Sequence, residues 1–275
     1  MAGPPPGSLR QLAAPLVRLA RRGSLLVATD FDGTLAPVVR DPRRARPLPE
    51  AAMALTELAR FTSVAVISGR DLANLSKQCP LPGVLLLGSY GLEPWREGGG
   101  RGLLPRTVAG QSPRLQRVAA ELRLVTEAWP GVEVEGKALG VAVHYRNSQD
   151  RHRVGAEVRR LLEEVSQREG LGLLRGRQVL ELRDRHAGDK GTALVQLLER
   201  LSPRGCVFAG DDFGDLPAMV QLHARRPELE LALGLAVLSP ETPPGLQAEA
   251  DLSLSGPQEW AALLETVVEE LARAA

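Results

Sequence analysis

In the stretch "LLVATDFDGTLAPVV", residues 25–39, an apolar run ends in Asp30 and Asp32, with Gly33 and Thr34 behind them. Carboxylates at the end of a hydrophobic strand are costly to bury unless a cation or hydrogen bonds compensate them. The same grammar recurs along the chain. Ser68, Gly69 and Arg70 follow the apolar run "SVAVI", and Asp211, Asp212 and Asp215 follow "CVFAG". Lys190 opens a segment with helical spacing. In an open α/β sheet, ligands bind beyond the carboxyl ends of the strands, so these residues are expected to converge. Like charges so close cannot all stay ionised without a counter-ion. The donors offered are oxygens, with no cysteine or histidine cluster, which points to a hard cation such as Mg2+.

Such convergence requires strands that end together. The runs at 24–31, 63–69, 84–91 and 206–212 are short, apolar and bounded by Gly, Pro or Asp, as fully buried parallel strands are. Between the first two, 48–62 has helical spacing, with Pro49 and Glu50 suited to a first turn. Residues 71–78 read as a shorter helix capped by Asp71. Late in the chain, 190–201 and 215–226 read as helices, 229–237 and 250–255 as strands, and an amphipathic helix follows from Pro257. Strand and helix alternate, so a doubly wound parallel sheet is the economical fold.

The middle breaks that rhythm. Helices are expected at 112–129 and 150–169, each followed by a hairpin, at 132–147 and 171–184. The fold class expected is therefore α/β, with a doubly wound core at 1–106 and 186–275 and an inserted α+β cap at 107–185. Glycine-rich 96–102 and 183–191 read as hinges. Within the first hairpin, simple alternation along "KALGVAVHYRN" puts Lys137 on one face, and His144 and Arg146 on the other.

The 275 residues carry 34 Lys and Arg against 33 Asp and Glu, a formal net charge of +1. That balance gives no electrostatic case for nucleic acid or an anionic membrane, and leaves a small phosphorylated metabolite as the expected partner. Cys79 and Cys206 lack any CxxC context and read as unpaired thiols in a reducing compartment. No apolar run approaches the roughly 20 residues needed to span a bilayer. "RR" at 21–22 precedes an apolar segment that runs into Asp30 without a small-residue cleavage site. A cytoplasmic protein, monomeric rather than oligomeric, is expected.

The motifs "DFDGT", "ISGR", "DKG" and "GDDFGD", in that order, resemble the haloacid dehalogenase superfamily of phosphohydrolases. The resemblance implies that Asp30 is the nucleophile that takes up a phosphoryl group. It implies that Asp32 protonates the leaving oxygen and then activates water. Mg2+ would be held by Asp30, the backbone carbonyl of Asp32 and Asp211. Ser68 and Lys190 would hold the phosphoryl oxygens, with Gly33 letting backbone N–H groups approach them and Arg70 among the substrate contacts. Asp212 or Asp215 would orient Lys190 or a metal-bound water, and the motif leaves both open.

Within that superfamily the chain resembles the trehalose-6-phosphate phosphatases. The segments that carry this are "GSYGLE" (88–93), "EGKALGVAVHYRN" (135–147), "LELRDRHAGDKGTAL" (180–194) and "GDDFGDLPAM" (210–219). Glu135, Lys137, His144, Tyr145 and Arg146 match the family's cap pattern. With Glu181 they offer the paired donors and acceptors that sugar hydroxyls require. Glu93 reads equally as a sugar contact or a turn residue. Two departures stand out: Tyr90 where many members carry His, and Gly214-Asp215-Leu216 where many carry Thr-Asp-Glu. The function implied is Mg2+-dependent hydrolysis of trehalose 6-phosphate through an aspartyl phosphate. The alternatives are another sugar-phosphate phosphatase of the same superfamily, or a noncatalytic regulatory module. Intact Asp32 and the cap argue against a phosphate-accepting receiver, which needs neither.

Overall fold

The computed structural model describes residues 6–39, 41–91, 112–137, 139–176, 178–184 and 188–273. Contacts divide the chain into two compact units, Met1–Pro105 with Gly188–Ala275, and Arg106–Ala187. The first unit begins with α1 (Pro6–Ala20), β1 (Leu25–Thr29), α2 (Pro49–Leu58), β2 (Ser63–Ile67), α3 (Leu72–Gln78) and β3 (Leu85–Leu87). The second holds α4 (Pro113–Thr126), β4 (Glu133–Lys137), β5 (Gly140–His144), α5 (Arg151–Glu169), β6 (Leu171–Gly176) and β7 (Val179–Asp184). The chain then returns to the first unit with α6 (Lys190–Leu201), β8 (Gly205–Gly210), α7 (Leu216–Ala224) and β9 (Leu231–Val237). Last come α8 (Pro244–Glu249), β10 (Leu252–Leu254) and α9 (Pro257–Ala272).

The first unit's six strands are parallel, in the order β10-β9-β8-β1-β2-β3. From the central β1 the chain winds outward through β2 and β3, then returns to the other side of β1 and winds through β8, β9 and β10. That reversal puts the switch point between β1 and β8, where the crossovers diverge and leave a crevice. β1 and β8 are buried along their whole length, which is why they read as unbroken apolar runs. Separate apolar clusters cover the two faces, one centred on α1, α2 and α9, the other on α6 and α7. Trp260 of α9, fully buried, donates its indole N–H to the Thr29 hydroxyl at 3.2 Å and so ties that layer to the end of β1.

The second unit has an antiparallel sheet, β4-β5-β7-β6. Val141, Val143, Leu180 and Leu182 join one apolar cluster with Val118 and Leu122 of α4 and Val158 and Leu162 of α5.

Two elements appear that the sequence reading did not assign, and one expectation is corrected. The segment before β1 forms a helix, α1, although Pro15 lies inside it, because Ala13, Leu16, Leu19 and Ala20 present one buried face. The short α8 was likewise not anticipated. Lys137 and His144 share a face of the sheet. Lys137 pairs with Gly140 across the turn and His144 with Glu133, and directly paired residues point the same way. Straight alternation fails there because the chain reverses between the two strands. Both cysteines are unpaired and buried, and burial pushes the Cys79 thiol up to about 12, so neither is poised to react. Among the described residues, no helix is long and apolar enough to cross a membrane. Glu93 and the glycine-rich 96–102 lie outside the described residues, as do Ala138 and residues 185–187.

Candidate active site

Asp30 follows β1 directly, and its backbone N–H donates to Ala209 O of β8 at 2.8 Å, which extends the parallel ladder across the switch point. Asp211 follows β8. A 3-10 turn at Phe213–Asp215 then folds the chain back on itself. Asp215 Oδ2 accepts from the backbone N–H of Asp211 at 2.9 Å and of Asp212 at 3.0 Å. These bonds hold its other oxygen toward Lys190, the first residue of α6, whose ammonium donates to Asp215 Oδ1 at 2.6 Å. Lys190 donates to Asp30 Oδ1 as well. All of these groups are out of solvent, Asp30 and Lys190 being 4% exposed and Asp215 fully covered.

Carboxylate oxygens of Asp30, Asp211 and Asp215 lie within 4.8 Å of one another, with one ammonium among them. One ammonium does not balance three carboxylates. Burial pushes Asp30 up to about 7 against the pull of Lys190, and Asp215 and Asp32 add to the rise. For Lys190 burial acts in the opposite sense, but Asp215 and Asp30 outweigh it and hold the amine protonated. The donor set is hard, close-set and short of positive charge, and so fits a small divalent cation. Gly33 makes the crowding possible. It sits at φ +93°, and a Cβ there would lie 2.2 Å from Asp211 Oδ2. Thr34 donates its hydroxyl to Asp211 Oδ1 at 3.2 Å.

A pH dependence follows. A cation entering the cluster competes with the Asp30 proton below about pH 7. Asp30 binds its proton more tightly folded than at its ordinary 3.8, so this group costs the metal-free fold stability as pH rises from about 4 to about 7. Any rise in Tm on adding a divalent cation such as Mg2+ is therefore expected to be larger at pH 8 than at pH 5. Melting curves at the two pH values test it, and an equal or larger shift at pH 5 refutes it.

Not every residue singled out from the sequence joins the cluster. Asp212 caps the 3-10 turn instead, its carboxylate accepting from Phe213 N at 2.6 Å, so Asp215 orients Lys190. The carboxylate of Asp32 faces Arg70, whose guanidinium donates to both of its oxygens, at 2.5 and 2.6 Å. Arg70 is thus engaged with a protein carboxylate. The N–H of Gly33 donates to Ala36 O at 2.7 Å, and the missing side chain gives room to Asp211. Ser68 is buried and its Oγ accepts from the Arg70 backbone N–H at 3.2 Å, which leaves its own proton to donate.

In the second unit, the sheet face away from α4 and α5 is polar. Lys137 donates to Glu181 Oε2 at 2.7 Å, and both side chains are largely buried. His144 Nε2 lies 2.9 Å from Glu135 Oε2. A Cβ on Gly140, between Lys137 and Arg183 in register, would lie 2.9 Å from Glu181 Oε1, so the missing side chain makes room for that carboxylate. Arg146 lies just past the end of β5 and is half-buried. The sequence reading missed Gln78, buried at the end of α3, which accepts from Arg70 at 2.7 Å.

A model of the trehalose-phosphatase family matches residues 28–234. Trehalose-phosphate phosphatase of Mycobacterium tuberculosis is 42% identical over 191 residues, 68% of this chain and 48% of that protein. The Mycobacterium avium protein of the same name is 37% identical over 250 residues, 89% of this chain and 62% of that one. The chain thus spans about half the length of most of these relatives. Among solved structures, the C-terminal domain of Candida albicans trehalose-6-phosphate phosphatase superposes with a TM-score of 0.79 at 21% identity. That superposition covers 94% of this chain and 96% of the domain.

Proposed function

The chain belongs to the trehalose-phosphatase family, and from that premise we propose that it hydrolyses trehalose 6-phosphate to trehalose and phosphate, with Mg2+ as cofactor. The single observation that carries this reading is the buried cluster of Asp30, Asp211 and Asp215 around Lys190 at the switch point. Asp30, Asp211 and the backbone carbonyl of Asp32 would hold the cation. When bound, it neutralises the repulsion between an anionic carboxylate and an anionic phosphate.

The chain's own residues account for the rest. Asp30 Oδ attacks phosphorus, and the ester P–O bond breaks as Asp32 gives a proton to the departing sugar oxygen. Water then attacks the aspartyl phosphate, with Asp32 taking its proton, and Asp30 leaves as a carboxylate. Lys190 and Ser68 hold phosphoryl oxygens while charge migrates among them. Recognition of the sugar is assigned to Glu135, Lys137, His144, Arg146 and Glu181 of the second unit. A small-molecule partner and a monomer remain the reading for the rest, and the cytoplasm the expected location.

The test is phosphate release with Mg2+ from trehalose 6-phosphate, sucrose 6-phosphate, glucose 6-phosphate and p-nitrophenyl phosphate, repeated in excess chelator. Preference for trehalose 6-phosphate and loss in chelator are expected. Preference for another sugar phosphate favours a different member of the superfamily, and full activity in chelator removes the metal. The same panel tests the polar sheet face. Lys137→Met is expected to lose about 1.5–3 kcal/mol in kcat/KM for trehalose 6-phosphate, the range for a hydrogen bond to a charged group. Its action on p-nitrophenyl phosphate should barely change. Equal losses on both would make Lys137 a structural partner of Glu181.

A further inference from the structure

Arg70 is gripped on three sides. Its Nε and Nη2 engage the two oxygens of Asp32, its guanidinium carbon lies 5.3 Å from the centre of the Phe31 ring, and its Nη1 donates to Gln78 Oε1. Gln78 is the last residue of α3 and 5% exposed. Its neighbours Leu75 and Cys79 are fully buried, so an apolar side chain would be the ordinary occupant of such a place. A buried amide is tolerated because both of its ends are bonded, and here the other end, Nε2, donates to Pro42 O at 3.0 Å. A chain of hydrogen bonds therefore runs from the Pro42 carbonyl through Gln78 and Arg70 to Asp32. It joins the segment after β1 to the segment after β2.

We propose that Gln78 is a positioning residue for Asp32, acting through Arg70. This rests on the two-step phosphatase reading above. The guanidinium fork occupies one lone pair on each Asp32 oxygen and leaves the others to accept a proton. The Phe31 ring and Asp32 leave the guanidinium free to turn in its own plane, whereas the directional bond to Gln78 fixes that rotation and hence the aim of the carboxylate. The second half-reaction is where that aim matters most. The oxygen of water bonds to phosphorus, its proton passes to Asp32, and the P–O bond to Asp30 breaks to release phosphate. A misplacement of about 1 Å in such a geometry costs on the order of 10²-fold.

The experiment uses p-nitrophenyl phosphate with Mg2+, because p-nitrophenolate leaves without a proton and Asp30 can be phosphorylated even when Asp32 is misaimed. In Gln78→Met, kcat is expected to fall about tenfold or more, short of the roughly 10²–10⁴-fold that complete loss of a general base costs. At the same time the fraction of protein carrying phosphate on Asp30, measured by mass spectrometry after acid quench, should rise above that of the unsubstituted protein. Gln78→Glu keeps the acceptor for Arg70 but gives up the donor to Pro42 O, so it should bring the phosphoenzyme fraction and kcat back toward those of the unsubstituted protein while its Tm stays lower. A merely structural role would lower Tm and turnover without trapping phosphoenzyme. Should Gln78→Met not fold, Arg70→Lys carries the same expectation, since it keeps the charge and loses the fork. Unchanged turnover, or a fall without accumulation, overturns the assignment. Asp32→Asn serves as the control. Accumulation there but not in the Gln78 and Arg70 variants overturns the role of Gln78 alone, while none in any of them overturns the two-step reading beneath it.

Discussion

Asp30→Asn is expected to leave no turnover above background on any phosphate monoester while the fold stays intact. Enzymes accelerate such hydrolysis by up to ~10²¹-fold over water, and no neighbouring group replaces an attacking carboxylate. Lys190 already engages Asp215, and Asp211 is held by Thr34, so neither carboxylate takes the place of Asp30 at the end of β1. Stability should move the other way. Burial pushes Asp30 up to about 7, so above that pH the metal-free protein holds an anion that its surroundings disfavour. A neutral amide still accepts from Lys190 and removes one of the crowded charges. Without metal at pH 8, Asp30→Asn should therefore melt at or above the temperature of the unsubstituted protein, and the Tm gain from Mg2+ should shrink. A variant that loses activity because it unfolds would contradict the assignment of Asp30 to chemistry.

That opposition between local stability and chemistry is also why the site was legible from the sequence. Acids at the ends of apolar runs violate the ordinary pattern of burial, and such violations concentrate where function requires them. The parallel strands were readable for the same reason, since β1, β2 and β8 are buried on both faces and tolerate few polar residues. What stayed hidden depends on how the chain turns in space. Asp212 and Asp215 look alike in "GDDFGD", and only the 3-10 turn decides between them, by bringing the Asp215 carboxylate back onto two backbone N–H groups. Lys137 and His144 looked opposed because alternation assumes an unbroken strand, whereas a tight reversal lies between them. The charge of Arg70 is legible in the sequence, whereas its pairing with Asp32 is not. Gln78 gave no signal, for a single amide in a short helix is unremarkable until both of its partners are located.

Lys190→Met is the substitution with the largest expected effect on stability and, after Asp30, on rate. The ammonium is the one cation bonded to both Asp30 and Asp215 among the described residues, and it lies in a site with almost no solvent. Methionine fills similar space but leaves two buried carboxylates facing each other, with Asp211 beside them. Removing one partner of a buried ion pair costs about 3–5 kcal/mol, because the charge left behind is uncompensated. Much of this should be recovered in two independent ways. Lowering the pH protonates the cluster, and the loss of Lys190 raises further the proton affinity of a group already at about 7. Adding Mg2+ supplies the missing positive charge, so the variant should gain more in Tm from the cation than the unsubstituted protein does. Activity should not return with stability. Lys190 is also the donor expected on the phosphoryl oxygens, and removing one such preorganised donor costs about 10²–10³-fold in kcat. Denaturant titrations at pH 5.5 and 8, each with and without Mg2+, separate the two roles. A variant as stable as the unsubstituted protein at pH 8 without metal would mean that the three carboxylates do not need the ammonium, and the charge balance argued for the site would fall.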